Sequence, residues 1–379
     1  MPINTKYDGY DLATEKTTRV RDFGEGEFAV KPKGETYLPK LGGQTNADYD
    51  KYLTRGFIVP AVEPTALAIS GAIMRKAPTF DPTGSLAYLN EDFDGKTNSA
   101  INFCESIIKE LLYAGSAGYL VEYTDKAVVK QYKKESIINV SDDYVILMQE
   151  YQEQDPDDRY VQTTKIEYLE LTYDENGNYI QNLWRENRGK KFIIVDTFTP
   201  TNRGQALDLI PFVFTGGLNE DPILLHLSNV NLDQYRMSTD QRHGLHWTAL
   251  PTLFLFGDLK DEDGNKKQIK VGAGSANHID DPEARAELLE FSGAGLGALK
   301  ATIDDSIKTM ANIGAKMLDN GSGGVKSAET SRIEASSETA TMSVIANTVD
   351  STMAQLLEII ANWMGSPVPE FEINRDFID

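Results

Sequence analysis

The feature that most constrains the fold is a helical pattern that runs without a proline from Ala328 to Trp363. Apolar residues recur in it at intervals of three or four, which is the spacing of one face of an α-helix. At about 1.5 Å per residue, the helix would be about 50 Å long. The sequence therefore predicts one long helix with a single apolar stripe, formed by Met342, Ile345, Val349, Met353, Leu356, Ile360 and Trp363.

Composition excludes several classes of protein. Asp and Glu number 58 against 37 Lys and Arg, a net charge of −21, which argues against a basic nucleic-acid clamp. The hydrophobic fraction of 40% is enough to fill real cores. The single cysteine and four histidines offer no disulfide and no zinc cluster, so we expect a reducing compartment. We expect no targeting segment, and no membrane span in residues 57–74, which Glu63 and two prolines interrupt.

The first third of the chain predicts an arm followed by two helices. The first 45 residues are rich in glycine and charge, so we expect an arm, with ordered structure beginning near Asp48. A short helix should follow Pro64, and a clearer one should run from Ser99 to a C-terminal cap at Gly115. Cys104 falls on the apolar face of the second helix, so we expect a packed thiol and not a nucleophile.

Alternating and β-branched runs from residue 140 to 214 predict a β-meander. The segment DENGN at 174–178 contains an Asn-Gly pair, which favours a type I′ hairpin. Its acids suggest a calcium loop, in which position six is glycine and position one is a calcium ligand, normally an acid. With Gly177 at position six, position one would be Thr172, which is not an acid. The same test puts Leu259 at position one of the segment around Gly264. We therefore predict turns, and no calcium site, in both segments.

The pattern becomes helical from Pro222 onward. Residues 222–250 predict a long helix, on which His243 and His246 lie one turn apart with Asp240 on the same side. No second cluster completes a metal site, so we expect hydrogen-bonded histidines on a packed helix. Residues 251–291 form a compact insert, in which an apolar stretch and a charged hairpin precede a short acidic helix over DPEARAELLEF.

Two glycine-rich segments resemble nucleotide-binding loops. Residues 293–298 fit G-x-G-x-x-A and open a helix that ends at Leu318, but no second strand with a ribose-binding acid follows. The loop before Lys326 fails the Walker A spacing, because Val325 and Asn320 stand where glycine is needed. The sequence also lacks G-x-S-x-G and H-E-x-x-H. We therefore predict no enzyme, no catalytic residue, no metal and no cofactor.

The order of these elements resembles that of the portal proteins of tailed bacteriophages: an α/β body, a long helix, a charged insert, a second helix, a glycine-rich loop and a very long helix. The resemblance covers about residues 48–379 and is to a subset long catalogued only as a domain of unknown function. Relatives usually continue into further helices past the sequence resembling EFEINRDF, so we expect a short, absent or removed crown. The similar segments are YDKYLTRGFIVPAVEPTALAISGAIMRKAPTF, LLYAGSAGYLVEY, IPFVFTGGLNEDPILLHLSNVNLDQYRMSTDQRH and NIGAKMLDNGSGGVKSAETSRIEASSETATMSVIANTVDSTMAQLLEIIANWMG.

The resemblance implies an α+β portal fold with an α/β wing, two stem helices bracketing a small α/β clip, and a long wing-crossing helix. By similarity the chain divides into an N-terminal arm (1–47), the first part of the wing (48–220), stem helix 1 (221–250), the clip (251–292), stem helix 2 (293–318), the tunnel loop (319–327), the long wing helix (328–365) and a C-terminal strand (366–379).

The function implied is that of a structural subunit in a dodecameric ring at one capsid vertex, the channel for DNA packaging and ejection. The implied partners are further copies of the chain, the major capsid protein, the terminase large subunit, a head-to-tail adaptor or tail proteins, and double-stranded DNA that passes without sequence-specific binding. No membrane is implied. The protein would belong to the virion, and to the host cytoplasm during assembly. An acidic channel fits, because strong cationic contacts to phosphate would hold the DNA in place.

Two segments would carry the function. The tunnel loop would face DNA through Asn320, Gly321, Ser322, Gly323, Gly324, Val325 and Lys326. Lys326 would either touch phosphates or pair with Glu329 or a neighbouring subunit. The clip would dock partners through Asp258, Lys260, Asp261, Glu262, Asp263, Lys266 and Lys267.

Two other classes of function stay open at this point. A nucleotide-dependent enzyme would use residues 293–298 or 321–327, and nucleotides would shift its melting temperature. Another capsid or tail scaffold protein would also be acidic and assembly-prone. It would not need two helices around a clip-like insert.

Overall fold

The computed structural model describes residues 2–123, 125–154, 158–202, 204–248, 252–256, 285–289, 293–318 and 328–375. The chain forms two compact units. Unit 1 comprises Met1–Gly26, Pro60–Asn229 and Met310–Asp379, and unit 2 comprises Glu27–Val59 and Val230–Thr309. The fold is α+β, as predicted, because helices accompany sheets whose strands pair antiparallel.

The described residues form helices and short 3₁₀ turns in the following order. The helices are α1 (Tyr10–Glu25), α2 (Glu27–Val30), α3 (Asn46–Arg55), α4 (Val62–Ile73), α5 (Ala100–Ala114), α6 (Leu225–Thr248), α7 (Ala294–Leu318) and α8 (Ala328–Met364). The 3₁₀ turns are Lys31–Thr36, Gly84–Asn90 and Lys134–Ser136.

The strands are short except in the middle of the chain. They are β1 (Thr79–Phe80), β2 (Ala117–Tyr123), β3 (Ala127–Lys133), β4 (Ile137–Ser141), β5 (Tyr144–Gln154), β6 (Gln162–Tyr173), β7 (Tyr179–Glu186), β8 (Phe192–Phe198), β9 (Thr201–Asn202), β10 (Gln205–Ala206), β11 (Phe212–Thr215), β12 (Thr252–Phe256), β13 (Arg285–Leu289) and β14 (Phe371–Glu372).

The predicted meander is confirmed in part. Strand β11, at the end of the predicted stretch 140–214, belongs to another sheet, whereas β4 to β8 form a five-stranded sheet of unit 1. Its order is β4-β5-β6-β7-β8, so strands adjacent in sequence are adjacent in space. A second sheet of the same unit has the order β11-β2-β3. Apolar residues of β5 and β6 on one face of the meander pack against residues of the second sheet, and the cluster includes Leu120, Tyr132, Val145, Leu147, Leu169 and Leu171.

The turn between β6 and β7 has the predicted position but not the predicted type. Gly177 has a φ of +79° and its N–H donates to the carbonyl of Asp174 at 3.0 Å. Glu175 and Asn176 do not have positive φ, whereas a type I′ turn needs it at both central residues. The type I′ prediction is therefore wrong. The Asp174 carboxylate accepts the N–H groups of Asn176 and Asn178, which stabilises a loop with one left-handed glycine.

The N-terminal residues belong to the fold, so the expectation that order begins near Asp48 is wrong. Ile3 and Tyr10 are buried against Ile138, Ile146 and Tyr168 of the five-stranded sheet. The backbone N–H of Tyr7 donates to the carbonyl of Ile138 at 2.9 Å. The glycines and charges of the first 45 residues predicted an arm. Among them, however, α1 has an amphipathic pattern, and its buried residues include Tyr10, Ala13, Thr17, Val20 and Phe23.

A buried ion pair ties α1 to α5. The Arg21 guanidinium contacts Glu110 at 2.6 Å and Glu135 at 2.5 Å, and Glu110 is only 5% exposed. Burial alone would lower the pKa of Arg21, but its hydrogen bonds to Glu135 and Glu110 outweigh burial and raise that pKa. The guanidinium thus fixes α1 against two other elements of unit 1.

The predicted helix after Ser99 is confirmed with both of its caps. The Ser99 hydroxyl accepts the N–H of Asn102, and Gly115 adopts the left-handed conformation at the C-terminus. Cys104 is completely buried, and burial raises the pKa of its thiol. The prediction of a packed thiol is confirmed.

The long helix α8 is confirmed, with 37 residues. All seven residues of the predicted stripe are buried. The helix packs against α4, α5 and strands β2, β3 and β11. Thr352, also on the buried side, shares a 2.7 Å hydrogen bond with Thr215 of β11. The stripe therefore forms the centre of the core of unit 1, and its covering surface comes from segments far away in sequence.

Strands β12 and β13 pair antiparallel, with Thr252 opposite Leu289 and Phe256 opposite Arg285. The short acidic helix predicted over DPEARAELLEF is therefore wrong for Arg285–Leu289. Helix propensity is a weak preference, and pairing with β12 overrides it. In chain order, α6 and α7 bracket this strand pair.

Candidate functional site

The residues predicted to carry the function lie outside the described residues. This holds for the tunnel loop, Asn320 to Lys326, and for Asp258, Lys260, Asp261, Glu262, Asp263, Lys266 and Lys267 of the clip. The structure describes the elements that flank them. The first segment joins the end of α7 to the start of α8, and the second joins β12 to β13. Both segments thus connect the ends of regular elements, and their roles stay predictions.

Helices α6 and α7 approach each other closely within unit 2. A Cβ added to Gly244 of α6 would lie 2.8 Å from Cδ2 of Leu296 in α7, closer than van der Waals contact permits. The contact requires glycine, or displacement of the leucine side chain. The two helices that bracket β12 and β13 are therefore packed against each other near the strand pair.

The glycine-rich segment 293–298 does not form a nucleotide-binding turn. Gly293 precedes α7, whereas Gly295 and Gly297 lie inside the helix. In a dinucleotide site, the first glycine makes a tight turn after a parallel strand, the second lets the backbone approach the pyrophosphate, and the third lets the helix pack closely on the strand. Here the preceding strand β13 belongs to an antiparallel pair. Among the described residues, the segment therefore does not follow the parallel strand that the enzyme interpretation requires.

The histidine cluster of α6 is hydrogen-bonded within unit 2. His243 Nδ1 lies 3.1 Å from Nη1 of Arg55, and Asp240 accepts a hydrogen bond from Tyr52. Because a guanidinium only donates, Nδ1 of His243 is the acceptor. For His243, this confirms the expectation of a hydrogen-bonded histidine on a packed helix. Among the residues that the structure describes, no three His, Cys, Asp or Glu side chains group as metal ligands would.

The environment of His243 predicts a loss of stability in mild acid. Burial, with the charges of Arg55 and His246, lowers the pKa of His243 below its usual 6.5, although Asp240 and Asp48 oppose the shift. The unfolded chain then binds the proton more readily. The stabilising contribution is complete above the unfolded pKa and is lost as pH falls through the folded pKa. We expect the melting temperature to fall between about pH 7 and pH 5, and to fall less for His243→Gln. Equal slopes for the two proteins in a thermal scan would contradict this expectation.

A wide charged cleft of about 1280 Å³ lies in unit 1 between α4, α5 and the β2–β3 hairpin. Three ion pairs lie along it: Lys126 with Asp92 at 2.7 Å, Lys130 with Glu122 at 2.6 Å, and Lys109 with Glu63 at 3.5 Å. The hydrogen bond from Lys126 lowers the pKa of Asp92. Asp94, Lys96 and Glu105 line the same cleft.

Comparisons with known proteins identify one shared segment. A family model described as a domain of unknown function (DUF4055) matches residues 223–364. The match begins just before α6 and ends at the last residue of α8. A comparison with curated proteins finds no match.

Solved structures of gene transfer agent particles are similar over most of the chain, at low identity. A chain of the native virion is 10% identical, with 93% of this chain and 90% of that chain covered and a TM-score of 0.41. A chain of the native neck, computed with C12 symmetry, is 11% identical, with coverage of 84% and 81% and a TM-score of 0.40. A chain of the empty neck, computed with C6 symmetry, is 10% identical, with coverage of 90% and 87% and a TM-score of 0.40. At these scores, the three likenesses do not establish a common fold.

Within the described part of the chain, no helix combines the length and the apolar character that a membrane crossing needs.

Proposed function

We propose that this protein is a structural, non-enzymatic portal subunit that forms a dodecameric ring at one capsid vertex. One observation carries the proposal. In chain order, two packed helices, α6 and α7, bracket the antiparallel pair β12–β13, and a helix of 37 residues, α8, follows nine residues later. This is the order of stem, clip, stem, tunnel loop and wing helix that the resemblance to portal proteins implies. The family match covers the same elements together.

The proposal gives each element a role. Helices α6 and α7 are the stem, β12 and β13 with the residues between them are the clip, and α8 crosses the wing. The clip docks the packaging terminase and later a head-to-tail adaptor or tail, and the wing contacts the major capsid protein. Residues 320–326 face the DNA, and Lys326 makes transient phosphate contacts.

The charge of the chain supports a channel through which DNA must slide. Each cation bound to a phosphate releases counterions and adds affinity, so a wall rich in lysine and arginine would hold the duplex. A chain with a net charge of −21 instead repels it when many copies surround the channel. DNA then passes in either direction without sequence-specific binding.

Electron microscopy of the purified chain, with its solution mass over a range of concentrations, tests the proposal. We expect rings of about twelve subunits with a channel wide enough for a ~20 Å duplex. Addition of ATP or NAD should leave the melting temperature unchanged, because the strand before residues 293–298 belongs to an antiparallel pair. A chain that stays monomeric or dimeric at every concentration overturns the proposal. A nucleotide-induced rise in melting temperature would favour the enzyme alternative.

A further inference from the structure

We propose that the glycine-rich start of α7, residues 293–297, is a hinge on which the strand pair β12–β13 moves, and that Leu296 is the latch that holds this hinge closed. Three glycines fall within these five residues, and Leu296 fills the space that Gly244 leaves on α6. All of these residues belong to unit 2. The glycine motif that does not form a nucleotide site thus acquires a mechanical role.

The hinge lies at the junction between α7 and the strand pair. Strand β13 ends at Leu289 and α7 begins at Ala294, so residues 290–293 join the two elements. Strand β12 pairs with β13 along its whole length, so the two strands move together. The other connection of the pair, residues 249–251, leads to α6. A change of backbone conformation at the start of α7 therefore changes the direction of the strand pair relative to that helix.

Packing does not explain two of the three glycines. Gly295 and Gly297 lie inside α7 and are exposed, and a Cβ added to either would meet no atom of the described residues within 4 Å. Neither has a positive φ, so alanine fits at both positions. Glycine is less stable than alanine inside a helix, because its backbone gains more freedom when the helix unwinds. The two glycines therefore make the first turns of α7 easy to unwind.

Leu296, between these two glycines, holds the turn against α6. Its Cδ2 atom occupies the place next to Gly244 where a larger residue would meet it. The N–H of Leu296 donates to the carbonyl of Gly293 at 2.9 Å, and Gly293 has a φ of +59°, which residues other than glycine rarely adopt. The packing of Leu296 favours the closed turn, whereas the freedom of the glycines favours the open one. The two forms are therefore close in free energy.

Unwinding also lengthens the connection to the strand pair. A helical residue advances about 1.5 Å and an extended one about 3.3 Å, so unwinding four residues adds about 7 Å. In the proposed function, β12 and β13 belong to the clip, which docks two partners in succession. The hinge lets one surface adjust to both partners. This consequence rests on the proposed function, whereas the hinge itself does not.

Hydrogen exchange of the backbone amides of residues 298–301 tests the hinge. The helical acceptors of these amides are the carbonyls of residues 294–297, so unwinding of the first turns exposes them to exchange. Gly295→Ala together with Gly297→Ala should slow their exchange about threefold or more, because alanine opposes unwinding.

Two further variants complete the exchange experiment. Gly244→Ala should speed the same exchange about threefold or more, because the added methyl group displaces Leu296 and opens the latch. Gly71→Ala is the matched control, since Gly71 is an exposed glycine of α4 with open space around it. This substitution should leave the exchange of residues 298–301 unchanged.

A dye attached to β13 reports the motion of the strand pair. Arg285→Cys places the dye at an exposed position, and Cys104 is completely buried, so it stays unlabelled. The amplitude of nanosecond motion in the decay of fluorescence anisotropy should fall when Gly295 and Gly297 are replaced by alanine, and rise in the Gly244→Ala variant.

Each outcome decides one part of the proposal. Unchanged or faster exchange in the double alanine variant would overturn the hinge, as would an equal slowing in the Gly71→Ala control. An unchanged amplitude of dye motion would also overturn it, because the turn would then unwind without moving the strands. A Gly244→Ala variant that exchanges like the wild type would overturn the latch. A chain that responds as expected but never forms rings contradicts the proposed function alone, and rings without these responses overturn the hinge alone.

Discussion

Replacing Arg21 by methionine should lower the free energy of unfolding by about 3–5 kcal/mol. The side chain of Glu110 is almost completely buried, and its carboxylate faces the Arg21 guanidinium at 2.6 Å. Without the guanidinium, Glu110 keeps a charge that water cannot reach, while Glu135 also loses its partner. Removing one member of a buried pair costs more than removing both.

Urea unfolding measures this loss of stability. The double variant Arg21→Met, Glu110→Leu tests whether the loss comes from the unpaired carboxylate of Glu110. The double variant should recover part of the lost stability, because the carboxylate of Glu110 is removed and the unpaired carboxylate that remains is that of Glu135, whose side chain is 19% exposed. Glu15→Ala is the matched control, since it breaks the exposed pair with Arg19 and should cost less than about 1 kcal/mol. A loss below about 1 kcal/mol for Arg21→Met would show that water reaches Glu110.

Truncating Leu356 to alanine should lower the stability by about 2–5 kcal/mol. Leu356 lies in the stripe of α8 and is completely buried. The substitution removes apolar contacts and leaves a cavity that a helix packed on α5 and several strands cannot close easily.

The neighbouring Gln355 provides the control for this substitution. It is exposed and bonds only to Ser351 in its own helix, so Gln355→Ala should change the stability by less than about 0.5 kcal/mol. Both variants keep the helix propensity of the segment high, so a difference between them in urea unfolding reports packing. Similar losses for the two variants would contradict the burial of the stripe.

Local rules predicted the parts of the fold that depend on neighbours in sequence. The stripe of α8 and the caps at Ser99 and Gly115 follow from spacing and from single residues. Tertiary partners decided the features that were predicted wrongly. Strand β13 forms because β12 pairs with it, and the first residues are ordered because the five-stranded sheet covers Tyr10.

In the candidate site, too, the sequence predicted the local features and missed those that depend on residues far away in sequence. The sequence placed His243 on a packed helix, but its hydrogen-bond partner Arg55 is 188 positions away and no spacing rule connects the two. The exposed apolar residues of the edge strand β8 were not predicted either. Exposure of an apolar strand such as β8 is a property of the folded surface, whereas the alternation in the sequence indicates only that a strand forms.

The docking of the N-terminal segment on β4 also sets an order of events during synthesis. Tyr10 donates its hydroxyl hydrogen bond to the carbonyl of Glu135, 125 positions later. At about 5–20 residues per second, the ribosome needs on the order of ten seconds to deliver that partner. Tyr10 thus leaves the ribosome well before Glu135 and has to wait for this contact. Until then, the side chains of Ile3 and Tyr10 lack the sheet that buries them, so they stay exposed on the nascent chain.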